Sequence, residues 1–233
     1  MRSRCFRRIV LMFYCLVLCL SASEAIAQAG SVGPTLQWHA NRAKSAGQTS
    51  YEFGPDQVGF DYTPKLTEII KNNLLVDGLV ESSFVEAPSN AFSIFTWYKI
   101  KVLSRGQEPS VSRMAVKNEI PEQLRMLGPD EIIVRAFGGT AIVDGVTLTV
   151  WGEPRLTIGK RYLFFLDSRL VYVPDSMSHQ SAYDIGFMTR PLLVDEQGKI
   201  QHPSEKTTFL RSVEGFQDVD GLERYAQQVT QQQ

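Results

Sequence analysis

The sequence predicts a mainly β, α+β domain. It would be a small OB-like antiparallel barrel, closed or partly open, with a short helix before it, a small inserted helix and a C-terminal helix. Three observations predict this. Runs rich in β-branched and aromatic residues recur between about 72 and 202, separated by glycine-bearing turns. Helical periodicity is confined to a few short stretches around these runs. The strands do not alternate with long helices, which argues for a sandwich or small barrel over a parallel α/β sheet.

The 233-residue chain opens with a leader pattern. Arg2, Arg4, Arg7 and Arg8 form a basic start, an apolar run covers 9–20, and Ala25-Ile26-Ala27 puts small residues where signal peptidase reads them. The run is shorter than the roughly 20 residues a bilayer-spanning helix needs. The expected signal peptide is therefore 1–27, cleaved between Ala27 and Gln28, and the protein is expected to be exported, to the periplasm or beyond. A retained N-terminal anchor is the alternative. A lipoprotein is disfavoured, because Cys15 follows Tyr14 and Cys19 follows Leu18 instead of a small residue.

Cleavage would leave 206 residues, enough for one domain with a sizeable core. Cys5, Cys15 and Cys19 all lie in the leader, so the mature chain would hold itself together without disulfides. The leader takes four arginines and one glutamate with it, leaving 20 basic against 24 acidic residues and a net charge of −4. That mild acidity excludes a general nucleic-acid binder, which would carry a basic stripe. No later apolar stretch is long and clean enough to span a membrane.

Residues 28–55 read as an irregular arm, with Trp38 the only large apolar anchor before Tyr51 and Phe53, and 56–233 as a single β-rich domain. Its first element is a short helix, with Thr63 as cap, Pro64 at the first position, Leu66, Ile69 and Ile70 on one face, and Asn72-Asn73 as the stop. Two extended stretches flank Asp77-Gly78. In 92–103, Ile94, Tyr98, Ile100 and Val102 share one strand face, and Phe95, Trp97, Lys99 and Lys101 the other. The polar segment 104–130 is an excursion carrying a small helix, opened by Pro121 and turned inward through Leu124 and Leu127.

The region 131–166 reads as the central strands of the barrel. A β-branched run ends at Gly138-Gly139, Asp144-Gly145 marks a tight hairpin, and the continuous apolar run 162–166 suits a strand buried on both faces. Val134, Leu148, Leu163 and Phe165 are therefore expected to be buried. Strand 170–173 continues the sheet, and 192–194 and 199–201 flank a second turn at 195–198. A helix over about 218–230 places Val219, Leu222, Ala226 and Val229 on one stripe, with Asp218 near its start.

On these residues a resemblance emerges. Leu75-Val76-Asp77-Gly78-Leu79-Val80 looks like the opening strand of small barrels. The run from Ile132 to Thr140, with its double glycine, and the run from Gly152 to Leu166 are similar to uncharacterised exported bacterial proteins. Those in turn resemble netrin-like barrels, the OB-like fold of the tissue inhibitors of metalloproteinases. The likeness spans about 72–175 and implies a fold alone. The inhibitors use a cysteine at the mature N-terminus to chelate their target's zinc; here Gln28 stands there, so no functional residue transfers.

Candidate chemistry is sparse. His39, His179 and His202 lack the close spacing of a metal site and read as surface histidines. There is no G-x-S-x-G elbow, and Gly138-Gly139-Thr140 lacks the lysine and spacing of a phosphate loop; glycines there let a barrel corner bend. Glu153 and Asp167 flank turns, where solvated acids are ordinary. Of the aromatics Phe95, Trp97, Tyr98, Trp151, Tyr162 and Phe164, most are expected in the core. Trp97, beside Lys99 and Lys101, is the weak binding candidate: either exposed or under the inserted helix. No catalytic residue, metal ligand or cofactor is predicted. The expected role is a non-enzymatic module binding a protein or another envelope ligand, without nucleic acid; the alternative is an envelope hydrolase or accessory domain without a recognisable motif.

Overall fold

Five strands close into a ring in the computed structural model, which describes residues 34–54, 64–107, 114–119, 121–152, 155–173, 178–185, 189–204 and 207–231. The expected signal peptide, with Ala25, Ala27 and Gln28, lies outside these residues, as do Thr63 and Glu153. The ring consists of β2 (Leu74–Glu86), β3 (Phe95–Arg105), β5 (Glu131–Phe137), β9 (Ser178–Ile185) and β8 (Arg161–Val173), paired in that order. The long strand β8 closes it, pairing through 161–166 with β2 and through 166–173 with β9. This is the small OB-like barrel expected. One detail departs from expectation: β5 and β9 run parallel. A closed ring of five strands requires this, because antiparallel alternation closes only with an even number.

Strand β2 is continuous. Asp77-Gly78 is a bulge in its ladder with β3 and not a break between two strands. At the bulge the buried Asp77 carboxylate accepts two hydrogen bonds from the Arg161 guanidinium, at 2.8 and 2.6 Å.

The barrel interior is filled by Val76, Val80, Tyr98, Ile100, Val134 and Phe164 with their neighbours. The run 162–166 is buried on both faces, as its unbroken apolar character predicts. Tyr162, Phe164 and Leu166 point into the barrel, while Leu163 and Phe165 point out into a helical layer. That layer comprises α2 (Leu66–Asn72), α3 (Thr208–Val213) and α4 (Val219–Gln231), beside the hairpin of β10 (Leu192–Val194) and β11 (Ile200–Gln201). Helix α2 starts at Leu66 with Lys65 at its cap, and Leu66, Ile69 and Ile70 form its buried face. Helix α4 buries the expected stripe, and Asp218 Oδ1 accepts the Gly221 amide at 2.7 Å. Helix α3, with Thr207 as cap, has no counterpart in the sequence reading.

The excursion after β3 carries β4 (Met114–Glu119), which pairs with β8, and a single 3-10 turn, Glu122–Leu124, where a small helix was expected. Leu124 is buried and Leu127 half-buried against the outer face of β3 and β5. Among the described residues no helix is long and apolar enough to cross a membrane.

Two expectations are corrected by a second, smaller sheet. Residues 36–45, read as part of an irregular arm, form helix α1 (Leu36–Ser45), followed by β1 (Ser50–Phe53). The hairpin of β6 (Gly139–Val143) and β7 (Val146–Val150) is no part of the barrel; with β1 it makes a three-stranded sheet in the order β1-β7-β6. Asp144 (φ 50°) and Gly145 (φ 76°) form the predicted turn, both in the left-handed region that a type I′ hairpin needs. Helix α1 covers one face of this sheet, with Leu36, Ala40 and Ala43 packed on Leu148, Val143 and Val150. Its first amides are satisfied by the carbonyls of Ala91 and Ser89 in the β2–β3 connection. Lys44 and Gln37 bind the Asp144 carboxylate from the helix side, at 2.5 and 3.3 Å.

Candidate functional site

Trp97 takes the second of its two expected places, under the inserted segment, and so does not share an open surface with Lys99 and Lys101. Trp97 is fully buried, under Leu124 and Leu127, and its Nε1 donates to Glu86 at 2.7 Å. The Arg135 guanidinium lies over Phe95 and Trp97 and is fixed by Asp184 at 2.9 Å. Lys99 is held by Glu131 at 2.9 Å and Glu81 at 3.6 Å, and the Glu131 hydrogen bond raises its pKa. Lys101 is exposed. The sheet face that such barrels offer to ligands is thus covered here by the 121–127 segment.

The histidines are equally dispersed. His39, expected at the surface, is 7% exposed in α1, because its ring stacks on Phe53 at 3.7 Å and lies edge-on to Trp38. Burial, and then the Arg42 charge, lowers its pKa below 6.5, and its Nδ1 is buried without a partner. His202 is half-buried, with Nε2 against the Phe216 carbonyl at 2.8 Å. His179 lies in β9. Among the described residues no three His, Cys, Asp or Glu side chains are grouped to hold a metal.

An open concave feature lies where the small sheet meets the barrel's end. Gly138 and Gly139 make the crossing, with φ of +100° and +149°. A Cβ on Gly139 would lie 2.6 Å from Thr96 Oγ1, and a Cβ on the facing Gly152 would lie 2.0 Å from the Phe137 carbonyl oxygen. No side chain fits between these strands, so the glycines do the corner work the sequence suggests. Beside the crossing is a cleft of about 570 Å³, within the size range of ligand sites.

Its floor is the mouth of the barrel. Thr96 Oγ1 donates to the Gly138 carbonyl at 2.8 Å, and Tyr98 Oη accepts the Leu156 amide at 3.4 Å. Burial raises the Tyr98 pKa, opposed by its hydrogen bonds and by the nearby Arg155 charge. The rim is built by the outer face of the small sheet. Strand register sets Glu52, Thr149 and Thr140 side by side in one row across β1, β7 and β6. The two threonine hydroxyls lie 3.1 Å apart, and Arg155 Nη2 donates to Thr140 Oγ1 at 2.7 Å. Trp151 stands at the end of β7, two residues beyond Thr149, and its side chain is 63% exposed.

Trp151 was grouped in the sequence with aromatics expected mainly in the core. The signal that places it outside is the strand phase itself. Leu148 and Val150 face α1, so Thr147, Thr149 and Trp151 face outward. Glu52 and Arg155 carry no such mark, because only the parallel β1–β7 pairing and the return of the chain through 155 bring them to the cleft. Of the carboxylates considered earlier, Asp167 pairs in register with Asp184 on the β8–β9 ladder, away from these residues. Comparison of the chain with protein-family models, with curated proteins and with solved structures gave no match.

Proposed function

We propose that this protein is an exported binding module of the cell envelope that holds a ligand on the outer face of its small sheet without transforming it. Export rests on the basic, apolar and Ala25-Ile26-Ala27 pattern of residues 1–27. The binding role rests on the Trp151 cleft. It joins an exposed indole to a row of polar groups, in which the Arg155 guanidinium donates to Thr140 and Thr140 bonds Thr149, with no nucleophile–base pair among the described residues of the row. The resemblance to netrin-like barrels enters this reading as shared architecture only.

A second reading, an envelope hydrolase, is favoured by one observation: the same cleft gathers Glu52, Arg155 and the buried Tyr98 phenol. A carboxylate there would need a partner acid or a nucleophile within reach, and the cleft's described lining contains one carboxylate.

Photocrosslinking separates the two. A photoreactive phenylalanine replaces Ile142, exposed on the outer face, or Glu196, exposed in the β10–β11 turn as a control. Irradiation in envelope extract is expected to yield a discrete adduct from position 142 and none from 196. Absence of an adduct at 142 overturns the module, and so does an adduct consumed and released as a modified product in a Glu52-dependent manner.

A further inference from the structure

We infer that the ligand of the Trp151 face is a neutral pyranose glycan, an inference that rests on the binding reading above. The first support is the indole. Trp151 is exposed at the end of β7, and its neighbour across the strand is Gly54, where even a Cβ would touch Trp151 Cβ at 3.4 Å. Among the described residues, β1 and Gly54 thus place no side chain over this platform. A pyranose ring offers such a platform a flat face of C–H groups, which an aromatic ring covers by stacking.

The second support is the chemistry of the row beside it. Glu52, Thr149 and Thr140 follow one another at the strand spacing of about 4.8 Å, so the row alternates an acceptor, two hydroxyls and then the Arg155 donor. Each sugar hydroxyl both donates and accepts, and therefore requires both kinds of group within one short reach. The row supplies them. Arg155 makes its described hydrogen bond through one nitrogen, to Thr140, which leaves the rest of the guanidinium fork facing the cleft.

The third support is the charge of the described lining. Among the described residues of the cleft one carboxylate balances one guanidinium, whereas an anionic polymer would be met by clustered cations. An acyl chain would need walls that are apolar throughout, whereas the lining here mixes Ala136, Phe137 and Val150 with threonine, glutamate and arginine. An indole beside balanced polar groups selects an uncharged polyol with an apolar face.

The test uses purified protein and titration calorimetry with defined oligomers: a glucose hexamer, an N-acetylglucosamine hexamer, and a galacturonate hexamer as the anionic comparison. At least one neutral oligomer is expected to bind, with little dependence on salt. Trp151→Ala is expected to weaken binding at least about tenfold, the scale of a lost aromatic stack. Thr140→Val is expected to weaken it less. Trp38→Ala, at the 46%-exposed indole of α1, leaves it unchanged. Circular dichroism melts confirm that each variant folds. Binding of neither neutral oligomer, binding indifferent to Trp151→Ala, or salt-sensitive binding of galacturonate alone overturns the glycan assignment. If the Ile142 photoadduct forms and proves to be a protein, the module reading stands and the glycan falls. If no adduct forms at all, both fall.

Discussion

Val134 and Leu148 are equally inaccessible to solvent, yet they sit in sheets of opposite design. Val134 belongs to a ring in which every strand has two neighbours, and residues 162–166 of β8 are covered on both faces, by the barrel interior and by α2, α3 and α4. Leu148 belongs to a three-stranded sheet with one face under α1 and the other open. A closed barrel has no edge and little spare face, so its residues are committed to stability. The small sheet buries only half of itself. Its free face, with Trp151, Thr149, Thr140 and Glu52, is where recognition can be built at little cost to the fold. The proposed binding face is the side of the sheet left uncovered, whereas the 121–127 segment packs over the outer face of β3 and β5.

The comparison breaks first at Phe165. It is buried where β8 meets the helical layer, edge-on to Phe209 at 5.3 Å. Phe165→Ala is expected to cost about 3–5 kcal/mol against a typical total of about 5–15 kcal/mol, and to lower the urea midpoint of the whole molecule. Leu148→Ala is expected to cost about 2–4 kcal/mol. Its signature is local: hydrogen exchange should rise in α1, β1, β6 and β7 while the β2, β3 and β5 amides keep their protection. Equal loosening of both regions would show that the small sheet and the barrel unfold as one.

Acid sharpens the same contrast. The His39 imidazole is held below its ordinary value of 6.5, chiefly by burial against Phe53 and also by Arg42. The unfolded chain therefore takes up this proton more readily. The stability involved is complete above about pH 6.5 and is lost as pH falls toward the folded value. Asp144, held below its ordinary 3.8 first by the Lys44 hydrogen bond, adds a second loss at lower pH. The α1 amides are thus expected to open on mild acidification before the barrel does, and His39→Phe to abolish the earlier step. Unchanged α1 exchange between pH 7 and pH 5 would remove His39 from this role. The smallest effect is expected at Lys101, exposed on β3, where alanine should shift stability by no more than about 0.5 kcal/mol. A loss comparable to that of Leu148→Ala would mean that the outer face of β3 is packed more tightly than its exposure indicates.

Much of the fold was legible because each signal is local. The alternation in 92–103, the unbroken apolar run 162–166 and the Asp144-Gly145 turn each depend on neighbours within a few residues. The stripe of α4 is equally self-contained. Helix α1 escaped because its buried side is small: Ala40 and Ala43 with a single leucine give little hydrophobic periodicity, and the glycine- and serine-rich flanks point to a linker. The candidate site was half legible. The phase of β7 places Trp151 outward, whereas for Trp97 the alternation left two places open, and packing of Leu124 and Leu127 over it decides for the buried one.

By itself, then, the sequence determined the burial of Val134 and Leu148, from their place in a repeat of two, and of Leu163 and Phe165, from a run with no polar residue to turn toward water. Which core each residue joined was decided only in three dimensions. Val134 fills the barrel, Leu163 and Phe165 the helical layer, and Leu148 the space under α1. A repeat of two says which face is dry but not what dries it. That choice depends on pairings between distant segments, such as β1 with β7 and β5 with β9, and long-range pairing leaves no periodic trace in either partner.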